Sequence, residues 1–112
     1  MLVGIDARLA NEAQRAGVGN YCAGMLRGLH RVGADVRLRL YLDAPPRAGF
    51  PLPSDAAEFV VLPRARMWTH RVLAAALRQA PPDVFYAPVM HRPRGCPCPA
   101  VATVHDLAFF SF

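Results

Sequence analysis

Residues Leu2 to Val32 read LVGIDARLANEAQRAGVGNYCAGMLRGLHRV. Two patterns meet in this stretch. Leu2–Asp6 is a short apolar run ending on an acid, which reads as a buried strand. After a polar stretch, Ala7 to Ala16, the residues Val18, Tyr21, Cys22, Met25, Leu26, Leu29 and Val32 recur at helical spacing and define one apolar stripe. Gly33 stands where such a helix stops.

The alternation continues outward. Val36–Leu42 (VRLRLYL) alternates and is strand-like, and the proline-rich stretch from Asp43 to Asp55 is a loop. Glu58–Leu62 is a third strand. Met67–Gln79 reads as a helix with Trp68, Val72, Leu73, Ala76 and Leu77 inward, ended by Pro81 and Pro82. Val84–Pro88 is a fourth strand, Arg92–Pro99 a second proline-rich loop, and Ala100–Asp106 a fifth strand. Strands alternating with helices predict an α/β fold: a Rossmann-like parallel sheet joined by crossovers, with helices on both faces. In such sheets ligands sit beyond the carboxyl ends of the strands, where the strand order switches. Asp6, Asp43 and His105 fall at those ends and are the candidate functional residues.

Composition bounds the rest. With 112 residues, 54% hydrophobic and 19% charged, the chain suits one domain with one core rather than disorder. Its longest apolar runs are far short of a membrane span, and no basic segment with an apolar run opens it, so the expected location is the cytoplasm. The formal net charge is +5, and all 13 basic side chains are arginine. These arginines are scattered and do not alternate with aromatic residues, which argues against nucleic acid as a partner. A positive surface does favour anionic ligands or an acidic membrane face. The three cysteines, Cys22, Cys96 and Cys98, do not suit a disulfide framework, and the CPC at Cys96–Cys98 is too tight for a usual zinc knuckle even with His91 near. Reduced thiols and no metal are expected.

The glycines Gly17 and Gly19 flank Val18 just ahead of the helical stripe. A glycine turn before a helix offers backbone N–H groups and the positive end of a helix dipole, which suit a phosphate or pyrophosphate. It also suits a plain turn, and spacing alone leaves both open. The dinucleotide fingerprint needs its glycines directly after the first strand. Here ten residues separate Asp6 from Gly17, although Asp43 ends the second strand as an acidic residue should, and the third glycine is misplaced. There is no lysine for a nucleoside-triphosphate loop. His105 follows VATV and precedes Asp106. At a strand end it can donate a hydrogen bond to a substrate hydroxyl or a developing negative charge. Asp106 can orient it or cap the following turn. A histidine satisfied by backbone carbonyls fits the same residues. His30, His70 and His91 have weaker claims, lying in helical stretches or a loop.

Taken in order, VGIDARLA, GVGNY, PDVFYAP and VATVHDL resemble the amino-terminal domain of family-4 (group 1) glycosyltransferases of the GT-B fold. The resemblance runs over essentially the whole chain. It implies an enzyme of two Rossmann-like domains that moves a sugar from a nucleotide-sugar donor to an acceptor. Transfer would retain anomeric configuration, without an essential metal or other cofactor. It implies that Gly17, Val18 and Gly19 approach the donor diphosphate, and that His105, with Asp106 beside it, contacts the donor sugar at the reaction centre. It further implies that residues 1–112 are part of the acceptor-side domain and that the donor-binding carboxyl-terminal domain lies elsewhere. On that basis the chain alone transfers no sugar, and the edge of its last strand invites self-association. Donor, acceptor and linkage are not legible. The rivals are a non-catalytic Rossmann-like binding module and a nicotinamide-dependent enzyme domain.

Overall fold

The computed structural model of the chain describes residues 1–12, 17–32, 35–88, 93 and 95–102, save the side chains of Val18 and Ala102. Five strands form one sheet: β1 (Leu2–Asp6), β2 (Arg37–Leu42), β3 (Glu58–Val61), β4 (Val84–Ala87) and β5 (Ala100–Ala102). Their order is β3-β2-β1-β4-β5, and every pairing is parallel. This is the Rossmann-like α/β fold expected from the alternation. The order reverses at β1, so the switch point lies between β1 and β4.

Alternation along each strand sorts side chains onto two faces. Val3, Ile5, Leu38, Leu40 and Leu42 point one way and pack with Cys22, Ala23 and Leu26 of α1 (Gly17–Val32). Tyr41, Phe85 and Ala87 point the other way and pack with Trp68, Leu73 and Leu77. Both faces of β1 and β4 are therefore covered, which is why these strands read as nearly continuous apolar runs, while β2 (RLRLYL) alternates and is buried on both faces only in its carboxyl half. Cutting a fully buried side chain such as Leu40 or Leu73 back to alanine costs about 2–5 kcal/mol.

The α1 stripe is narrower than its sequence period suggested. Gly19, Cys22, Ala23 and Leu26 are buried, spaced i, i+3, i+4, i+7, while Met25 and Leu29 are half-buried. Tyr21 is 43% and Val32 79% exposed, so these two do not belong to the packed face. The inner residues near the start of α1 are small, which lets the helix approach the sheet closely.

The next two crossovers differ in kind. Between β2 and β3 no helix forms. The proline-rich segment instead lays Leu52 into the core, and Phe50 meets Phe59 edge-on with ring centroids 5.5 Å apart. Between β3 and β4 the helix expected from Met67 begins as a π-helical turn, Thr69–Leu73, and continues as α2 (Ala74–Gln79). The Leu73 N–H reaches the Trp68 carbonyl at 2.8 Å, five residues back. Met67, just before it, adopts a left-handed backbone with φ 57°. At the opposite end of the sheet, Asp83 Oδ2 accepts the Leu2 N–H at 2.6 Å and ties the start of β4 to β1.

Candidate functional site at the carboxyl edge

All five strands run the same way, so their carboxyl ends share one edge. The head of α1 opens there on one face, and the head of the π-helical turn on the other. Gly17, Val18 and Gly19 are not a turn ahead of the helix, as the sequence suggested; they are its first turn. Their N–H groups have no acceptor within the helix, because the first turn lacks the preceding carbonyls. The two glycines differ in surroundings. Gly17 is exposed, and among the described residues a Cβ placed on it would meet nothing within 4 Å. Gly19 is buried and belongs to the packed side of α1. Gly17 thus leaves its side of the helix head open, and Gly19 faces the packed side.

A 3₁₀ turn, Arg8–Asn11, fills part of the gap between β1 and α1. Asn11 is 6% exposed, and its side chain fixes the loop after β2. Its Nδ2 donates to the Ala44 and Pro45 carbonyls at 3.3 and 3.0 Å, and its Oδ1 accepts the Arg47 N–H at 2.8 Å. Arg47 Nε returns a bond to the Asn11 carbonyl at 2.8 Å. Between this turn, α1 and that loop lies a cleft of about 240 Å³ lined by Asn11, Glu12, Asn20, Arg47, Gly49 and Phe50 among others. Ligand pockets for whole small molecules run to roughly 300–1,000 Å³, so this cleft is sized for part of a ligand.

On the other face, Asp6 is 5% exposed and occupied. Arg8 clamps it with Nε on Oδ1 at 3.0 Å and Nη2 on Oδ2 at 2.9 Å, and the Arg8 N–H adds a weaker bond to Oδ1 at 3.3 Å. The same Nη2 donates to Thr69 Oγ1 at 3.1 Å, and the guanidinium stacks 4.0 Å over the Trp68 ring. A buried carboxylate held in a fork this way is paired and desolvated together with its counter-charge. Asp6 is thus a brace that joins β1 to the head of the second helix across the switch point, not a free base. Arg8, Asn11 and Thr69 do not stand out in the sequence. The one available signal was an arginine two residues after an acid at a strand end.

Of the other strand-end candidates, Asp43 lies 3.6 Å from Arg64 Nε in a pair whose arginine is 71% exposed, a contact worth little. His105 and Asp106 lie outside the described residues, as does His91. His30 is exposed near the end of α1. Among the described residues, neither the buried Nδ1 of His70, in the π-helical turn, nor the Trp68 indole Nε1 has a hydrogen-bond partner. Among the described residues no three His, Cys, Asp or Glu side chains gather in a way that would hold a metal ion. No helix among them is long and apolar enough to cross a membrane. Compared with protein-family models, with curated proteins and with solved structures, the chain matches none.

Proposed function

We propose that the chain is the acceptor-side half of a retaining glycosyltransferase of the GT-B type, which moves a sugar from a nucleotide-sugar donor to an acceptor hydroxyl. The observation that carries this reading is the head of α1. On a sheet of order β3-β2-β1-β4-β5, a helix of 16 residues opens beside the switch point with an uncrowded glycine as its first residue. Its first N–H groups and its dipole offer positive potential without a side chain in the way. As the bond between sugar and diphosphate breaks, negative charge gathers on the diphosphate, and donors already in place stabilise it without reorganisation.

The family resemblance supplies the remaining parts. β5 runs parallel to β4, toward the edge at which α1 opens, and the sequence continues from it to His105. His105 hydrogen-bonds the donor sugar, and Asp106 orients the imidazole. The cleft beside α1, with Glu12, Asn20 and Arg47 on its walls, offers polar groups for acceptor hydroxyls. The nucleotide itself needs a second Rossmann-like domain. A nicotinamide-dependent domain would share the strand order, but the 3₁₀ turn Arg8–Asn11 separates β1 from the glycines, whereas that fingerprint needs them together.

The test is sugar transfer by the enzyme with both domains, from a panel that includes UDP-glucose and GDP-mannose. Transfer from at least one donor is expected, and His105→Ala should lower turnover by roughly a hundredfold or more with the fold intact. No transfer from any donor, or equal turnover in parent and variant, contradicts the proposal.

A further inference from the structure

We propose that Cys96 and Cys98 are a thiol pair that takes up an intrachain disulfide by exchange with a low-molecular-weight disulfide such as glutathione disulfide. This inference is independent of the proposed transfer reaction. The two Sγ atoms lie 3.6 Å apart across Pro97. A disulfide bond is about 2.05 Å long, so modest side-chain rotations close the gap. The pair is also held in place. The Phe85 N–H bonds the Pro99 carbonyl at 2.9 Å, and both cysteines pack against the core formed by Tyr41, Phe85 and α2. Both are half-buried and open to a small reagent, whereas Cys22 is fully buried. Among the described residues no third ligating side chain joins them.

The chemistry balances in two exchanges. The Cys96 thiolate attacks one sulfur of glutathione disulfide and expels glutathione thiolate, leaving a mixed disulfide. The Cys98 sulfur then attacks Cys96 Sγ and expels the second glutathione. The cysteine pair loses two electrons and two protons, and glutathione disulfide gains both to become two thiols. Burial, with the Cys98 S–H donating to the Cys96 sulfur, pushes the Cys98 thiol up to about 11, which assigns the first attack to Cys96. The ring closed is small and gains little from loop-closure entropy, so the bond is a reversible one that reductant reopens.

The chain should be incubated with glutathione disulfide at mildly alkaline pH, quenched in acid, alkylated in denaturant so that the buried Cys22 is reached, and weighed intact and after trypsin. One tryptic peptide, beginning at Gly95, carries both cysteines, and Cys22 is on another. The intact chain should lose the mass of two hydrogens. The peptide from Gly95 should resist alkylation until it is reduced, while Cys22 alkylates. Cys98→Ser should stop at the mixed disulfide and keep one glutathione, whereas Cys96→Ser, which lacks the attacking thiolate, should take up glutathione far more slowly. A parent chain that keeps a glutathione adduct, retains three alkylatable thiols, or links to a second chain overturns the proposal.

Discussion

Gly4 has no room for a methyl group. A Cβ on it would fall 2.8 Å from Pro82 Cγ and 3.1 Å from Tyr41 Cε2. Neither a proline ring nor a buried tyrosine can swing aside, so Gly4→Ala should cost about 1–3 kcal/mol in urea unfolding. Nothing in LVGID announces this, because the crowding comes from a proline far along the chain. Tyr41 supplies a second test. Its ring is buried at 6.1 Å from that of Phe85, and among the described residues its hydroxyl has Arg39 nearby but no hydrogen bond of good geometry. Burial holds its pKa above the ordinary value, opposed by Arg39, whose guanidinium bonds Glu58 and the Ala80 carbonyl. The unfolded phenol ionises near pH 10, while the folded one keeps its proton beyond that. This contribution is therefore complete below about pH 10 and is lost as the pH rises through the folded-state value. Tyr41→Phe should match the parent within about 0.5 kcal/mol at pH 8, since no bond is broken. Between pH 10 and 11, urea titrations should show the parent losing more stability than the variant. A variant that is much weaker at pH 8 would mean that the hydroxyl is bonded after all.

At the level of elements, the informative case is the crossover that is not a helix. Prolines at Pro45, Pro46, Pro51 and Pro53 exclude helical hydrogen bonding there, and the sequence could be read that far. What fixes the loop could not be read: Asn11, one polar residue in a run of polar residues, holds its backbone from another element. Asn11→Ala leaves those groups without their partner and should cost about 1–3 kcal/mol. Asn11→Asp should also destabilise. It keeps an acceptor for the Arg47 N–H but sets a carboxylate oxygen against the Ala44 and Pro45 carbonyls. Thermal melts of both variants check this, and parent-like melting in either would show that the loop is held elsewhere. The two helices show the same division. Their apolar spacing located them, but whether Tyr21 and Val32 were covered, and whether the second helix would open with a π turn, depends on what packs opposite each residue.

For the whole molecule, alternation of strands and helices sufficed to predict a parallel sheet, since each βαβ connection has one allowed hand. Strand order followed only from the structure, and with it the switch point that brings the head of α1 and the Asp6–Arg8 brace to one edge. The candidate site was legible in part. Gly17, Val18 and Gly19 were visible as a phosphate-like sequence, but their separate surroundings were not. Gly17→Ala isolates the ligand role, because the added methyl has open space and leaves folding unharmed. It should weaken donor diphosphate binding by roughly tenfold, because the methyl stands where the diphosphate would approach the backbone N–H groups. The central claim is that a nucleotide-sugar diphosphate docks on this helix head. The most direct measurement is a titration of the two-domain enzyme, isotope-labelled in this half, with UDP-glucose, GDP-mannose and NAD, followed by amide NMR. The account predicts that a nucleotide sugar moves the Gly17, Val18 and Gly19 amides most, and that Gly17→Ala suppresses the effect. Shifts that avoid these three amides, or that NAD produces at lower concentration than any nucleotide sugar, would contradict it.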